Sequence, residues 1–311
     1  MRKSSAEVRK IMEEVLINAK DDYKLCLHVF ETRNPKGYVQ IIHGMEEHQE
    51  RYEELISILN KAGYTVVSSD MRGHGYHAPE LGFFKETDGY KYLLSDQKRI
   101  TAYIKKRFKT GKVIILAHSM GTIIARNLLQ TQSANYERII LSGYPCSPGK
   151  SALIFGMILT DTIAKIKGAN YHSILIEYLS IGSFNRTIAN PKTPLDWISK
   201  NEENVRAYIK DPYCGHGFKV SAFNDLFHLT WNMTETRYYK NINKKLPILA
   251  LRGEKDPSTG FEKGSRTSIN ALKAVGFKNI KQIKYTDMRH EILNETGNEK
   301  VYKDIVNFLN S

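Results

Sequence analysis

Apolar residues along this chain recur in two alternating patterns. Short apolar runs such as KVIILAH at 112–118 are typical of buried strands, and stretches with apolar residues three and four positions apart are typical of helices that cover a sheet. Strands are predicted at 15–21, 24–31, 38–44, 65–70, 112–118, 138–144, 245–253 and 280–287. Helices are predicted at about 48–62, 89–108, 262–275 and 299–310, with another from about Met120. This order predicts an α/β fold with a mostly parallel central sheet flanked by helices, opened by an antiparallel hairpin.

The alternation of strands and helices lapses in one long segment. Between about 146 and 240 the sequence holds several helix-like stretches and no convincing strand. We expect an insertion that forms a helical cap over the carboxyl edge of the sheet, where folds of this kind bind their ligands. The predicted division is a core of 1–145 and 241–311, interrupted by a helical cap of 146–240.

Composition and cysteine content are those of an ordinary globular protein. The 311 residues are 41% hydrophobic and 25% charged, which is typical of a soluble protein with a sizeable core. Cys26, Cys146 and Cys214 form an odd, widely spaced set, which favours free thiols in a reducing compartment. The N-terminus lacks the apolar run of a signal peptide, and no stretch approaches the roughly 20 apolar residues of a membrane span. A cytoplasmic protein is therefore expected.

The formal net charge is +13, from 46 Lys and Arg against 33 Asp and Glu. A solvated, lysine-rich surface accounts for this excess, and peripheral contact with an anionic membrane is the functional alternative. Nucleic-acid binding is not predicted, because the basic residues are scattered and no recognition motif accompanies them. The pattern makes no prediction of oligomeric state.

The sharpest chemical motif is AHSMG at 117–121, which contains Ser119. A buried strand is predicted before it and a helix after it, which is the context of a nucleophile elbow. The tight turn projects the serine hydroxyl clear of the sheet, where a base can take its proton. A structural serine is the alternative, but the strand and helix on either side favour a nucleophile.

An acid and a base are expected to follow the nucleophile, in that order along the chain. Asp256 comes directly after the strand that ends in LRG, and His290 comes after the last predicted strand. Both positions are at the carboxyl ends of strands and can reach Ser119. Asp287 and, more weakly, Glu254 are the alternatives for the acid. In this interpretation His290 takes the serine proton and Asp256 orients the imidazole.

Two backbone amides are expected to bind the oxyanion of a tetrahedral intermediate. The N–H of Met120, next to the nucleophile, is the first candidate, and the N–H of Met45 in the loop after strand 38–44 is the second. Gly44 permits the tight turn of that loop. The neighbouring His43 is expected to shape the loop, and His118 to be structural. No metal site is predicted, because the spacing of His43, His48, His74 and His77 matches no known zinc motif.

Taken together, these motifs resemble a known family. The quoted segments are HGMEEHQERY at 43–52, DMRGHG at 70–75, AHSMG at 117–121, LRGEKDP at 251–257, RHEILNE at 289–295 and the stretch at 196–215. They are similar to the monoacylglycerol lipase and lysophospholipase group of α/β-hydrolases, which is often grouped with serine aminopeptidases. The resemblance implies an enzyme without a cofactor that cleaves carboxylic esters. It places nucleophile, acid and base on Ser119, Asp256 and His290, and the oxyanion donors on Met45 and Met120.

The predicted cap carries the clue to the substrate. Its segments at 152–166 and 174–181 are strongly apolar, as an acyl-chain site requires, although packing of the cap on the sheet also explains them. The candidate substrate contacts are Gly44, Phe155, Ile158, Leu159 and Leu179. A small hydrophobic ester or single-chain lipid is the expected substrate. An aminopeptidase-like amidase, with Glu202 or Glu203 holding the substrate ammonium, and a catalytically inactive binding protein are the alternatives.

Overall fold

A computed structural model describes residues 12–311, and the N-terminal stretch for which no signal peptide was predicted lies mostly outside this range. In the described part eight strands form one sheet in the order β1-β2-β4-β3-β5-β6-β7-β8. The strands are β1 (Met12–Asn18), β2 (Lys24–Phe30), β3 (Gly37–Ile42), β4 (Tyr64–Ser69), β5 (Val113–His118), β6 (Tyr136–Ser142), β7 (Ile248–Gly253) and β8 (Ile280–Tyr285).

The sheet is mostly parallel, as predicted. The pairs β4–β3, β3–β5, β5–β6, β6–β7 and β7–β8 are parallel. The pairs β1–β2 and β2–β4 are antiparallel. The predicted opening hairpin is therefore present, but β1 ends at Asn18 because the turn begins there, with the Ala19 N–H donating to the Tyr23 carbonyl. Strand β7 begins three residues later than predicted, since Leu246 still belongs to a turn closed on Asn243.

Helices cover both faces of the sheet. They are α1 (Glu53–Lys61), α2 (Gly89–Arg107), α3 (Met120–Gln132), α4 (Lys150–Lys167), α5 (Ile174–Ser180), α6 (Glu202–Lys210), α7 (Val220–Thr234), α8 (Phe261–Ala274) and α9 (Glu299–Leu309). The predicted helix from His48 begins instead with a 3-10 turn, Gln49–Tyr52, before α1.

Strand β5 explains why the central strands are apolar throughout. Its alternate side chains enter two different cores: Ile115 and Ala117 pack with α3 and α8, while Ile114 and Leu116 pack with α1 and α9. All six of its residues are buried. A parallel strand that is covered on both faces has a continuous apolar sequence, which is the pattern at 112–118.

The segment between β6 and β7 contains α4 to α7 and one isolated bridge, between His172 and Lys219. Helix α7 packs on α2 and α3 of the core and also on α4. The approach of α4 to α7 is close at Gly156, where a Cβ atom would lie 2.7 Å from the Phe227 ring. Helix α7 thus joins the inserted helices to the core. In the described part of the chain, no helix is long and apolar enough to cross a bilayer.

Candidate active site

Ser119 lies at the sharp turn between β5 and α3. Its φ of 48° and ψ of −120° are unusual for a residue with a side chain, and such strain persists only where the surroundings enforce it. The Ser119 N–H donates to the Ser142 carbonyl at 3.0 Å. Gly121 permits the close approach of α3 to β3, because a Cβ atom there would lie 2.2 Å from the Ile42 carbonyl oxygen. The turn is therefore held from both sides.

The structure brings the predicted acid and base to Ser119. His290 Nε2 lies 2.8 Å from Ser119 Oγ, and His290 Nδ1 lies 3.0 Å from Asp256 Oδ2. Asp256 is fully buried, and its other carboxylate oxygen accepts the Ser258 N–H at 2.8 Å. These contacts fix the imidazole with one nitrogen toward the carboxylate and the other toward the hydroxyl. This arrangement can move a proton between Ser119 and His290.

The two alternative acids lie elsewhere. Asp287 has a side chain that is 61% exposed and pairs with Lys200 at 3.0 Å and with Lys255. Glu254 pairs with Lys284 at 3.2 Å. Neither carboxylate contacts His290 in the described part of the chain, so Asp256 is the acid that the geometry favours.

The environment of His290 sets its pKa. Burial disfavours the charged imidazolium, but the carboxylate of Asp256, by its charge and its hydrogen bond, outweighs burial and raises the pKa of His290 above 6.5. The charges of Glu291 and Glu47 act in the same direction. The site therefore favours the imidazolium that forms when His290 accepts a proton.

The two amides predicted as oxyanion donors flank the nucleophile. Met120 is the first residue of α3, where helical N–H groups have no intrahelical acceptor. Met45 follows Gly44, at which a Cβ atom would lie only 3.1 Å from Ser119 Cβ. Within residues 12–311 neither amide donates to a protein acceptor. Both N–H groups are thus available beside Ser119 for a developing negative charge.

The histidines near the site have different surroundings. His43 Nε2 accepts the Met71 N–H at 2.9 Å, so His43 ties its loop to the end of β4, which fits the structural role expected for it. The buried ring of His118 packs 4.9 Å from the ring of His290 but makes no hydrogen bond to it. His118 therefore packs against the base, and the structural role expected for it stays a prediction.

A buried charge network that the motifs did not reveal lies behind His290. Arg51 Nη1 lies 2.6 Å from Glu291 and 3.1 Å from Glu47, and Arg51 Nη2 lies 2.8 Å from Glu291. Burial raises the pKa of Glu291, but the guanidinium outweighs burial and holds this pKa below its ordinary value. Asn204 of α6 donates to Glu291 at 2.6 Å. The network joins the loop after β3, the loop after β8 and helix α6.

Glu47 connects this network to the oxyanion loop. Its Oε1 accepts hydrogen bonds from the Gly44 N–H and from the Tyr52 hydroxyl, the latter at 2.7 Å. This hydrogen bond holds the Gly44 amide in place, directly before Met45, the second predicted oxyanion donor. The contact between Gly44 and Glu47 is local, and a glutamate three residues after a glycine was visible in the sequence. Arg51 and Glu291, by contrast, are 240 positions apart, so only the folded structure shows that they pair.

A cavity of about 500 Å³ opens on Ser119 and is lined mainly by apolar side chains. Of the predicted substrate contacts, Gly44, Phe155, Leu159 and Leu179 line it. Ile158 does not, because it lies off the face of α4 that carries Phe155 and Leu159. Lining residues that the sequence did not single out include Ile123, Trp197, Leu226 and Phe227, while Ile176 belongs to the apolar segment 174–181.

The carboxylates proposed for an amidase lie away from this cavity. Glu202 and Glu203 are in the first turn of α6 and are not among the residues that line it. Glu202 pairs instead with Arg206 at 3.3 Å and with Lys192. Both residues are exposed on α6, so the structure gives no support to a role for either in holding a substrate ammonium.

Comparison with known proteins identifies the family. The family model described as "Serine aminopeptidase, S33" matches residues 33–297. The chain belongs to this family. Human monoglyceride lipase is 25% identical over 243 residues, which cover 78% of this chain and 72% of that protein. The monoacylglycerol lipase of Mycolicibacterium smegmatis is 24% identical over 277 residues, which cover 89% of each chain.

The fold of this chain is similar to the folds of solved hydrolase structures. A thermostable carboxyl esterase from Bacillus coagulans, crystallised in complex with glycerol, is similar with a TM-score of 0.88 at 24% identity. The similarity covers 96% of this chain and 98% of that one. The predicted α/β-hydrolase fold and the suspected family are both confirmed.

Proposed function

We propose that this serine aminopeptidase S33 family member is a carboxylic ester hydrolase that acts on a single-chain lipid, a monoacylglycerol or a lysophospholipid. The observation that carries the proposal is a hydrogen-bonded chain from Ser119 through His290 to Asp256 at the wall of a 500 Å³ apolar cavity. A hydroxyl next to a base, with two amides beside it, is the arrangement that acyl transfer requires.

The reaction follows from these positions. His290 Nε2 takes the Ser119 proton while Oγ bonds to the ester carbon, and the oxyanion accepts hydrogen bonds from the Met45 and Met120 amides. Asp256 stabilises the imidazolium, which then gives its proton to the departing alcohol as the ester bond breaks. Water attacks the resulting acyl-enzyme, gives a proton to His290, and releases the fatty acid as the proton returns to Ser119.

The wall of the cavity supports a lipid substrate. An acyl chain gains about 0.8 kcal/mol per buried CH₂ group, so an apolar wall favours long chains. Human monoglyceride lipase and the Mycolicibacterium smegmatis enzyme, both similar to this chain, are named for monoacylglycerol substrates. This likeness supports, for this chain, the same substrate class.

The charges at the cavity favour an ester over a peptide substrate. An aminopeptidase needs a free carboxylate to hold the substrate ammonium. Among the described residues, the glutamates that line the cavity are Glu46, Glu47 and Glu291. Glu47 and Glu291 are engaged by Arg51. Burial, followed by the charge of Glu177, raises the pKa of Glu46 to about 8, which disfavours the charged carboxylate.

The helices around the cavity also support contact with a lipid surface. Helices α4 and α5 expose apolar side chains, namely Ile154, Phe155, Ile158, Ile166, Ile174, Leu175, Tyr178 and Leu179. Clustered exposed apolar residues mark interaction sites on most proteins. Phe155 and Leu179 belong both to this exposed group and to the cavity wall. We infer that α4 and α5 meet the membrane surface from which the substrate enters.

Ser119→Ala is expected to abolish ester hydrolysis, with a loss in kcat of at least about 10³-fold, because no other group replaces the nucleophile. The assay compares p-nitrophenyl esters, monoacylglycerol, lysophosphatidylcholine and leucyl or prolyl anilides. Ser151→Ala, on the exposed start of α4, is the control and should retain wild-type turnover. If the wild type cleaves the anilides and not the esters, the protein is an amidase and the proposal is wrong. If it cleaves neither, a binding protein replaces the proposed enzyme.

Leu159→Trp should shift the preferred acyl chain toward shorter esters, because the larger side chain fills part of the cavity. The loss for the longest ester should be at least about tenfold relative to the shortest. Ile158→Trp, one residue along the same helix but outside the cavity, is the matched control. Steady-state rates on esters of graded length provide the measurement. Equal chain-length profiles for the two variants would contradict the placement of the acyl chain.

Ile166→Asp and Ile174→Asp should each weaken binding to anionic phospholipid vesicles by more than about tenfold, since a buried isoleucine contributes about 1.5–3 kcal/mol. Neither residue lines the cavity, so hydrolysis of a short soluble ester should not change. Leu16→Asp, which changes an exposed apolar residue on β1, is the control. Vesicle co-sedimentation is the measurement, and unchanged binding in both variants would exclude α4 and α5 as the contact.

A further inference from the structure

Three side chains with metal-binding chemistry, Glu14, Cys26 and His77, meet at the β1–β2 hairpin, and His28 lies beside them. None of the elements that carry these residues holds a proposed catalytic group. Glu14 on β1 pairs directly with His28 on β2, and Cys26 lies two residues before His28. Residues two apart on a strand share a face, so all three lie on the same side of the hairpin. His77, from the loop after β4, brings its donor atom within 4.8 Å of those of Glu14 and Cys26, whereas His28, of these described residues, lies close to Glu14 only.

The Cys26 thiol already has hydrogen-bond partners in Glu14 and Gln49, but the distances from Glu14 to the two imidazoles are those between ligands of one ion. Glu14 Oε2 lies 3.6 Å from His28 Nε2 and 3.8 Å from His77 Nε2, which is too long for hydrogen bonds. The donor atoms of Glu14, Cys26 and His77 all lie within 4.8 Å of one another. A tetrahedral ion with bonds of about 2.0–2.3 Å separates its ligand atoms by about 3.3–3.8 Å. Small side-chain movements would close this sphere.

Burial and charge at the hairpin also favour a cation. Cys26 and His28 are buried, whereas the side chains of Glu14 and His77 are 45% and 37% exposed, which leaves a path for an ion from solvent. A cavity of about 130 Å³ adjoins the group. Its polar lining is Glu14, His28, Gln49, Glu50 and Glu53, and among the described residues no lysine or arginine lines it.

We propose that Glu14, Cys26, His28 and His77 form a binding site for zinc or a similar divalent transition metal. Thiolate, imidazole and carboxylate are the ligands that zinc takes in proteins. One carboxylate and one thiolate balance the charge of the ion. The bound metal cross-links the edge hairpin to the loop after β4, so its role is structural and does not depend on the proposed ester hydrolysis.

A second group of possible ligands, His48, Asp211 and Cys214, makes the weaker case. His48 Nε2 lies 2.8 Å from Asp211 Oδ2, which is an ordinary hydrogen bond, and Asp211 Oδ1 accepts the Tyr213 N–H at 2.9 Å. These groups are therefore already satisfied by the protein. Because each group contains one cysteine, Cys214→Ser is a matched control for Cys26→Ser.

The test is a titration of the purified chain with Co²⁺, which reports thiolate ligation by a charge-transfer absorption, followed by displacement with Zn²⁺. The wild type and Cys214→Ser should each bind one equivalent with the thiolate absorption, and Zn²⁺ should raise Tm in both. Cys26→Ser should lose the absorption, and His77→Asn should bind more than about tenfold more weakly. Circular dichroism verifies that each variant is folded.

Glu14→Gln and His77→Asn change exposed side chains, so they test the site even if Cys26→Ser does not fold. Both should lose affinity at unchanged metal-free Tm. The proposal is overturned if the wild type binds no stoichiometric metal. It is equally overturned if the thiolate absorption persists in Cys26→Ser and disappears in Cys214→Ser, or if neither exposed variant weakens binding.

Discussion

The buried ion pairs of the Arg51 guanidinium are the interactions on which the rest of the site depends. The guanidinium is held between Glu47 and Glu291, at 3.1 and 2.6 Å. Glu47 accepts a hydrogen bond from the Gly44 N–H and so fixes the loop that carries Met45, the proposed oxyanion donor, while Glu291 directly follows His290. Removing one partner of such a buried group costs several kcal/mol, because the other charges remain unpaired. Arg51 thus fixes three parts of the site relative to one another: the loop of Gly44 and Met45, the segment of His290, and helix α6.

The close approach of neighbouring backbone segments around Ser119 is the second constraint on the site. Ser119 adopts a left-handed φ between β5 and α3, and the turn is tolerable only because Gly121 and Gly44 leave room on either side of it. The strain places the hydroxyl beside His290 at the carboxyl edge of the sheet, where parallel strands open on a ligand site. The inserted helices then cover this edge and give the cavity its apolar wall.

The sequence was informative where chemistry is local. Ser119 is marked by its strand-turn-helix context, and Asp256 and His290 by their places after strands, because strand ends of a parallel sheet converge. Side-chain direction on an exposed helix was not readable, so Ile158 was misplaced: both faces of α4 are apolar, one for the cavity and one outside it. Contacts between distant segments, such as Arg51 with Glu291, carry no local signal at all.

The most direct measurement of the central claim is the rate at which a fluorophosphonate labels Ser119, located by peptide mass spectrometry, between about pH 5 and pH 9. Labelling needs neutral His290, and its pKa is raised above 6.5. The rate should therefore fall as pH drops through a midpoint above 6.5, and Asp256→Asn should label at least about 10³-fold more slowly. Labelling of another residue, or a rate independent of both pH and Asp256, would contradict the account.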